Sequence, residues 1–360
     1  MDSSPQTYDN VRKLADSLPY GNERTLLREK SINLADLYGN ENQQFRSRMD
    51  FVHDVCYDGG FSEKYFTVFP WLLNYVKTKG TETDKMMVLW YYKWVIGVMP
   101  NFPSVTKKQI ENTLEDLRVK YLEYGSNEKV YHDYSRDTYL YLADFEKSAQ
   151  HQKLWSKFRK RDELDDCEAC VLNRNVTYHI LTGQLKKALK IADPIFSGDM
   201  VCTHVPSNTY ITFLLPLLEA GMDDMADDFG TKIAKKISTK KFGRNHYNAH
   251  VLLVWYTRRQ EFTKAVKLID KFFAQAEKDK SLDAKLFFYI GALYALQHLP
   301  KETIKLKLPS HLPFFRADSE YKVADISKWL DEESDRLAKL FDKRNENDFH
   351  IKKKAQILAM

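Results

Sequence analysis

Glycine and proline are scarce in this chain, 13 and 11 of 360 residues. So few turn residues argue against the many short strands of a sandwich or barrel. Apolar residues repeat at i, i+3, i+4 and i+7 instead, which predicts helix nearly throughout. There is no uninterrupted run of about 18 apolar residues; the richest stretch, Met86–Met99, contains Lys93. No membrane span is therefore expected. The first ten residues are polar and carry no signal-peptide core. Four cysteines and no export signal point to a reducing, cytoplasmic setting. The 55 Lys+Arg against 50 Asp+Glu leave a net charge of +5, too little to suggest nucleic acid. Catalytic signatures are missing as well: no G-x-S-x-G, Walker loop, G-x-G-x-x-G after a strand, or H-E-x-x-H. A non-catalytic protein is expected.

A repeat is present. A small or polar turn residue is followed five positions later by alanine: Asp144 and Ala149, Gly183 and Ala188, Gly221 and Ala226, Gln260 and Ala265. The turn positions lie 39, 38 and 39 residues apart. A fixed period of this size is the mark of stacked helical hairpins, each unable to bury its apolar face alone. The predicted fold is all-α: a right-handed superhelical solenoid of antiparallel helix pairs, with about 14–17 helices.

The first third fits the period less cleanly. Helices are predicted at about 8–18, 22–39, 41–58, 62–78, 82–98 and 107–124. Pro70 and Pro216 stand inside apolar helical runs, where kinks or helix starts are expected. The Pro-rich MPNFPSV (99–105) suggests a boundary. Three regions result: an irregular helical region at 1–105, repeats at 106–300, and a loop with a capping helix at 301–360.

Several segments resemble a group of bacterial tetratricopeptide-repeat proteins of unassigned function. They are LPYGNERTLLREKSINLADLYGN (18–40), FPWLLNYV (69–76), LWYYKWVIGVMPNFPSV (89–105), the run from Asp165 to Cys202, and FLLPLLEAG (213–221). The similarity spans Leu18 to Ile237, and its segments include the pair Cys167 and Cys170 and the following Cys202. It implies a helical repeat scaffold and carries no catalytic assignment.

Cys167-Glu-Ala-Cys170 follows the acidic stretch 162–166 and opens a helix, where the dipole favours thiolate. In an antiparallel hairpin the entry of the first helix neighbours the exit of the second, so Cys202 can approach the pair. His204 would complete a tetrahedral Cys₃His set for a structural zinc. Buried idle thiols and redox chemistry are the alternatives; the latter wants a thioredoxin-like βαβ setting, which the sequence lacks. Cys56 lies on an apolar helical face and reads as core.

Asn173, Arg174 and Tyr178 fall on the first helix of a repeat, the helix that faces the hollow of such arrays. They read either as a clamp for a peptide backbone or as a solvated helix face. The basic cluster Lys232, Lys235, Lys236, Lys240, Lys241 and Arg244 fits an acidic partner or a helix end opposing its own dipole. Trp90, Tyr91, Tyr92 and Trp94 cannot share one face and should divide between core and inner surface. The functional reading is a protein- or peptide-binding scaffold. The alternatives are a receptor for a short signalling peptide and, third, an enzyme hidden in a helical fold.

Overall fold

The computed structural model describes residues 7–57, 64–238 and 245–360. Among these the protein is all-α, with 17 helices and one two-stranded ribbon. The first six helices are α1 (Tyr8–Ser17), α2 (Asn22–Tyr38), α3 (Glu41–Tyr57), α4 (Lys64–Thr78), α5 (Glu82–Val98) and α6 (Lys107–Tyr124). Their ends fall within two residues of the sequence expectation. Local chemistry explains the precision at α5 and α6. Thr81 with Asp84, and Thr106 with Gln109, form reciprocal capping boxes that satisfy the first backbone N–H groups. Pro70 lies inside α4, and Pro216 inside the later helix Ser207–Glu219, rather than starting them.

Four hairpins follow: α7 (Lys129–Tyr141) with α8 (Phe145–Trp155), α9 (Glu168–Leu181) with α10 (Leu185–Phe196), α11 (Ser207–Glu219) with α12 (Asp223–Ser238), and α13 (Asn245–Arg258) with α14 (Phe262–Lys278). Their turns are the same structure four times. Ala143, Gly183, Gly221 and Gln260 all adopt positive φ, between 55° and 74°. At each, the next residue's N–H returns to a carbonyl five positions back: Asp144 to Tyr139, Gln184 to His179, Met222 to Leu217, Glu261 to Tyr256. This is the left-handed cap that satisfies the last helical carbonyls. In the first hairpin the turn residue is thus Ala143, not Asp144 as the sequence suggested. The small residue five positions on is accordingly Ser148, fully buried, while Ala149 is exposed. Ala188, Ala226 and Ala265 are buried as expected.

The first helix of each hairpin packs on the first helix of the next, so α7, α9, α11, α13 and α15 (Leu282–Gln297) form a continuous row. The row extends back through α5 to α3. Backbones approach closely within it: a Cβ on Gly291 of α15 would lie 2.8 Å from His250 Cα of α13.

The C-terminal region departs from a simple loop and cap. Strands β1 (Thr303–Lys305) and β2 (Glu320–Lys322) pair antiparallel before α16 (Val323–Asn345) and α17 (Phe349–Leu358). Arg344, buried at 9% exposure, donates to the carbonyls of Pro100, Phe102 and Val105. Asn347 donates to the carbonyl of Leu142. The last helices therefore reach back across the row to the Pro-rich turn.

The apolar interior falls into two large clusters. One runs from Ile32 to Leu164 and includes Phe102 and Ile110, so it passes unbroken through the expected boundary near 105. The other runs from Val176 to Ile357. No helix among the described residues is long and apolar enough to cross a membrane.

Left-handed backbone costs a side-chain-bearing residue about 1 kcal/mol more than glycine. Ala143→Gly and Gln260→Gly are each expected to raise unfolding free energy by about 0.5–1 kcal/mol, and Gly183→Ala and Gly221→Ala to lower it by about 1 kcal/mol. Urea melts of the four variants check the pattern. Equal effects of either sign at all four positions would refute it.

Candidate functional site

Between the two apolar clusters the contact is ionic. Arg174 of α9 donates from Nε to Asp133 Oδ2 of α7 at 2.9 Å and from Nη1 to Asp166 Oδ2 at 2.7 Å. Lys93 of α5, with no exposed side-chain surface, lies 2.9 Å from Asp166 and 3.4 Å from the centre of the Trp90 ring. The Tyr134 hydroxyl donates to Asp166 at 2.6 Å and the Trp94 indole at 3.2 Å. Arg136 holds the other oxygen of Asp133. Burial alone would raise the Asp166 carboxyl, but Arg174 and Lys93 outweigh it and hold the group far below its ordinary value. Burial also pulls the Lys93 ammonium down to about 8, against the pull of Asp166. Arg174 is thus tied internally to two carboxylates, and it also lines the groove between the hairpins.

This network draws the acidic stretch 162–166 inward, where Leu164 is fully buried, and sets the start of α9. Cys167 is the N-cap of that helix and Cys170 lies one turn in. Cys202 arrives from the loop after α10, as the hairpin argument requires. The thiol sulfurs of all three lie within 4.8 Å of one another, and Cys170 Sγ is 3.6 Å from Cys202 Sγ. All four cysteines of the chain are free thiols. A tetrahedral zinc with bonds of about 2.3 Å sets its sulfurs about 3.8 Å apart, so the spacing suits one metal ion held by three thiolates. Ala169, Ile195 and Val205 form a small apolar core of their own behind the sulfurs. Burial raises the Cys170 thiol. At Cys202 burial acts upward too, but the backbone N–H groups of His204 and Val205 and the two neighbouring thiols outweigh it and lower the thiol.

His204 is not in this set. The turn that joins Cys202 N–H to the Val205 carbonyl at 2.9 Å aims the backbone amide of His204 at the sulfur. His204 is instead among the residues that line a groove of about 430 Å³. Residues of α7, α9, α11, α13 and α15 line the same groove, and Phe349, His350, Lys353 and Ile357 of α17 stand along it. Asn173 lies there; its carbonyl oxygen accepts from the Thr209 hydroxyl at 2.6 Å. Tyr178 is buried, edge-on against His179, and does not line the groove.

Sequence reading missed three groove residues. Asn208 of α11 and Asn248 of α13 join Asn173 of α9, one asparagine from each of three consecutive first helices. The recurrence of Asn in those helices was the available signal. The third is Asp137 of α7, at the same groove. Burial raises its carboxyl to about 6, against the lowering pull of Arg136 and Arg174, and its Oδ1 has no hydrogen-bond partner.

Other candidates resolve plainly. Cys56 is partly buried against the first core, its Sγ 2.8 Å from the Tyr65 hydroxyl. Tyr92 is buried, with Trp90, Tyr91 and Trp94 packed partly buried against the same core. Lys232 pairs with Asp228 at 2.7 Å and Lys236 reaches Ser207. Lys240, Lys241 and Arg244 lie outside the described residues.

Removing one partner from a buried ion network strands the others, at about 3–5 kcal/mol. Arg174→Ala and Asp166→Asn are each expected to destabilise by that amount, read by urea denaturation; a loss under 1 kcal/mol would show that the network is dispensable. Asp137 gives a pH signature. Its folded value lies above the unfolded value of about 3.9, so the native state holds the proton more tightly. The stability this contributes is present below about pH 4 and is lost as pH rises to about 6. Asp137→Asn should flatten stability across that window and raise it at pH 7 by about 1–2 kcal/mol. An unchanged pH profile in the variant refutes the assignment.

No protein-family model matches the chain, and no curated protein matches it.

Proposed function

We propose that the protein is a non-catalytic scaffold that binds a protein or peptide segment in the groove between its hairpins. In this reading the helix pairs form a tetratricopeptide-like, right-handed superhelical solenoid. The observation that carries the proposal is the groove itself: consecutive first helices each contribute an asparagine to it, at Asn173, Asn208 and Asn248. An asparagine amide offers both a donor and an acceptor, the pair that an extended peptide backbone requires. Apolar Leu140, Ile211 and Phe287 beside them give side chains of such a segment a place to bury.

A second reading narrows the ligand to a short peptide, as in a receptor for a signalling peptide. It is favoured by α17, whose Phe349 and Lys353 flank the groove. A volume of about 430 Å³ falls within the range of small-ligand pockets rather than long protein interfaces.

We assign zinc to the three cysteines. Thiolate ligands at tetrahedral spacing suit this ion, and the site ties the entry of α9 to the loop leaving α10. Its role is structural.

Asn208→Ala and Asn248→Ala together are expected to abolish retention of a partner, or of a bound peptide detected by mass spectrometry, that the wild type retains from native lysate. Their melting temperature should match the wild type. A ligand retained equally by the double variant overturns the groove as the binding site. Elemental analysis of protein purified without chelator or nickel is expected to find one zinc per chain, lost in Cys202→Ser. Less than about a tenth of an equivalent removes the metal from the account.

A further inference from the structure

We propose that the three-cysteine centre is open: its fourth coordination position is left to a neutral nitrogen donor from outside the chain, of imidazole type. The proposal rests on the zinc reading above and goes beyond it, since a structural zinc of the ordinary kind is closed by four protein ligands.

Three observations carry it. The first is the donor count. Cys167, Cys170 and Cys202 converge, and among the described residues no histidine, aspartate or glutamate ligand atom joins them within 4.8 Å. His204, the fourth ligand that sequence spacing suggests, is not part of that group and is among the residues lining the groove. Zinc takes four ligands, so three thiolates leave one position to be filled. The second is exposure. Cys170 and Cys202 are half-buried over the small apolar core formed by Ala169, Ile195 and Val205, whereas Cys167 is exposed. The protein covers one side of the centre and the side bearing Cys167 meets solvent, so an external donor has a path in.

Charge is the third. Three thiolates around a divalent ion carry a net charge of −1. Lys236 interacts electrostatically with Cys202 and is anchored by Ser207, and Cys167 caps α9 at the positive end of its dipole. Together these offset one negative charge. A fourth thiolate would take the centre to −2 beside the Lys236 ammonium. A neutral imidazole leaves the balance unchanged, and borderline nitrogen donors suit zinc. A histidine of a bound partner and a free imidazole-bearing small molecule share this chemistry.

The test uses the full-length chain loaded with Co²⁺ alone, a spectroscopic substitute for zinc. Thiolate-to-cobalt charge-transfer bands and tetrahedral d–d bands are expected, and both should vanish in Cys202→Ser. Titration with imidazole should then shift the d–d bands saturably, with one equivalent bound per cobalt, while the charge-transfer bands persist. His204→Ala should give the same spectrum and the same titration. Absence of thiolate-to-cobalt bands would defeat the zinc reading and this proposal together. Bands that form normally but do not respond to imidazole, or that change when any one of the chain's own histidines is replaced, would leave the metal in place and overturn the open position. To separate the two sources, a histidine-containing peptide is titrated beside imidazole. Tighter binding of the peptide points to a partner's side chain, and equal binding to a small molecule; either outcome supports the open centre.

Discussion

A buried carboxylate, Asp166, is the point on which the arrangement turns. The two apolar clusters of this chain do not merge; one ends at Leu164 and the other begins at Val176. Hydrophobic burial holds each half together. At the start of α9 the tie between the halves is charge. Asp166 receives Lys93 from α5, Tyr134 from α7 and Arg174 from α9, and Arg174 in turn shares Asp133. Each partner has been removed from water, so none can leave without stranding the rest. Such a network is geometrically exacting in a way that apolar contact is not, and it fixes where α9 starts.

The candidate metal centre inherits its position from that constraint. Cys167 follows Asp166 directly, so the tie that pulls the carboxylate inward also places the N-cap thiol. Cys202 is brought up from the far end of the same hairpin by a different force, the small core formed by Ala169, Ile195 and Val205. The loop carrying Cys202 continues through His204 and into α11, where Asn208 faces the groove. One short segment therefore carries both a sulfur of the candidate metal centre and groove-lining residues. The geometry makes the two features neighbours across a single loop.

The repeated turn shapes the rest. The first helices of four successive hairpins end in a residue of the same left-handed conformation with the same returning backbone hydrogen bond, so each hairpin returns its second helix to one side and leaves the first helices in a row. Close approach within that row, as at Gly291 against His250, leaves no room for a side chain. The row is then met by the C-terminal helices: Arg344 is anchored on three carbonyls of the 100–105 turn, and Phe349 packs on Phe145. The groove is bounded along one flank by α17 instead of lying fully open.

Much of this was legible in the residue order. Scarce glycine and proline, 3.6-residue apolar spacing and a period near 39 were enough to predict an all-helical chain of hairpins, because helix formation and helix ending are local events governed by nearby residues. Turn glycines at 183 and 221 marked two hairpins, and hairpin geometry sufficed to bring Cys202 to Cys167 and Cys170. The one-residue slip at the first turn came from Ala143, an alanine in a conformation that sequence assigns to glycine or to a polar residue. What tertiary structure alone decided was where polar side chains point. Arg174 and Asn173 are adjacent in sequence and both line the groove, yet Arg174 is tied to carboxylates contributed from 41 and 8 residues away and Asn173 to the Thr209 hydroxyl. His204 stands two residues from Cys202 and still does not join the three sulfurs. Spacing along a chain determines which face of a helix a residue occupies; which partner waits on that face depends on distant segments, and no local rule contains them.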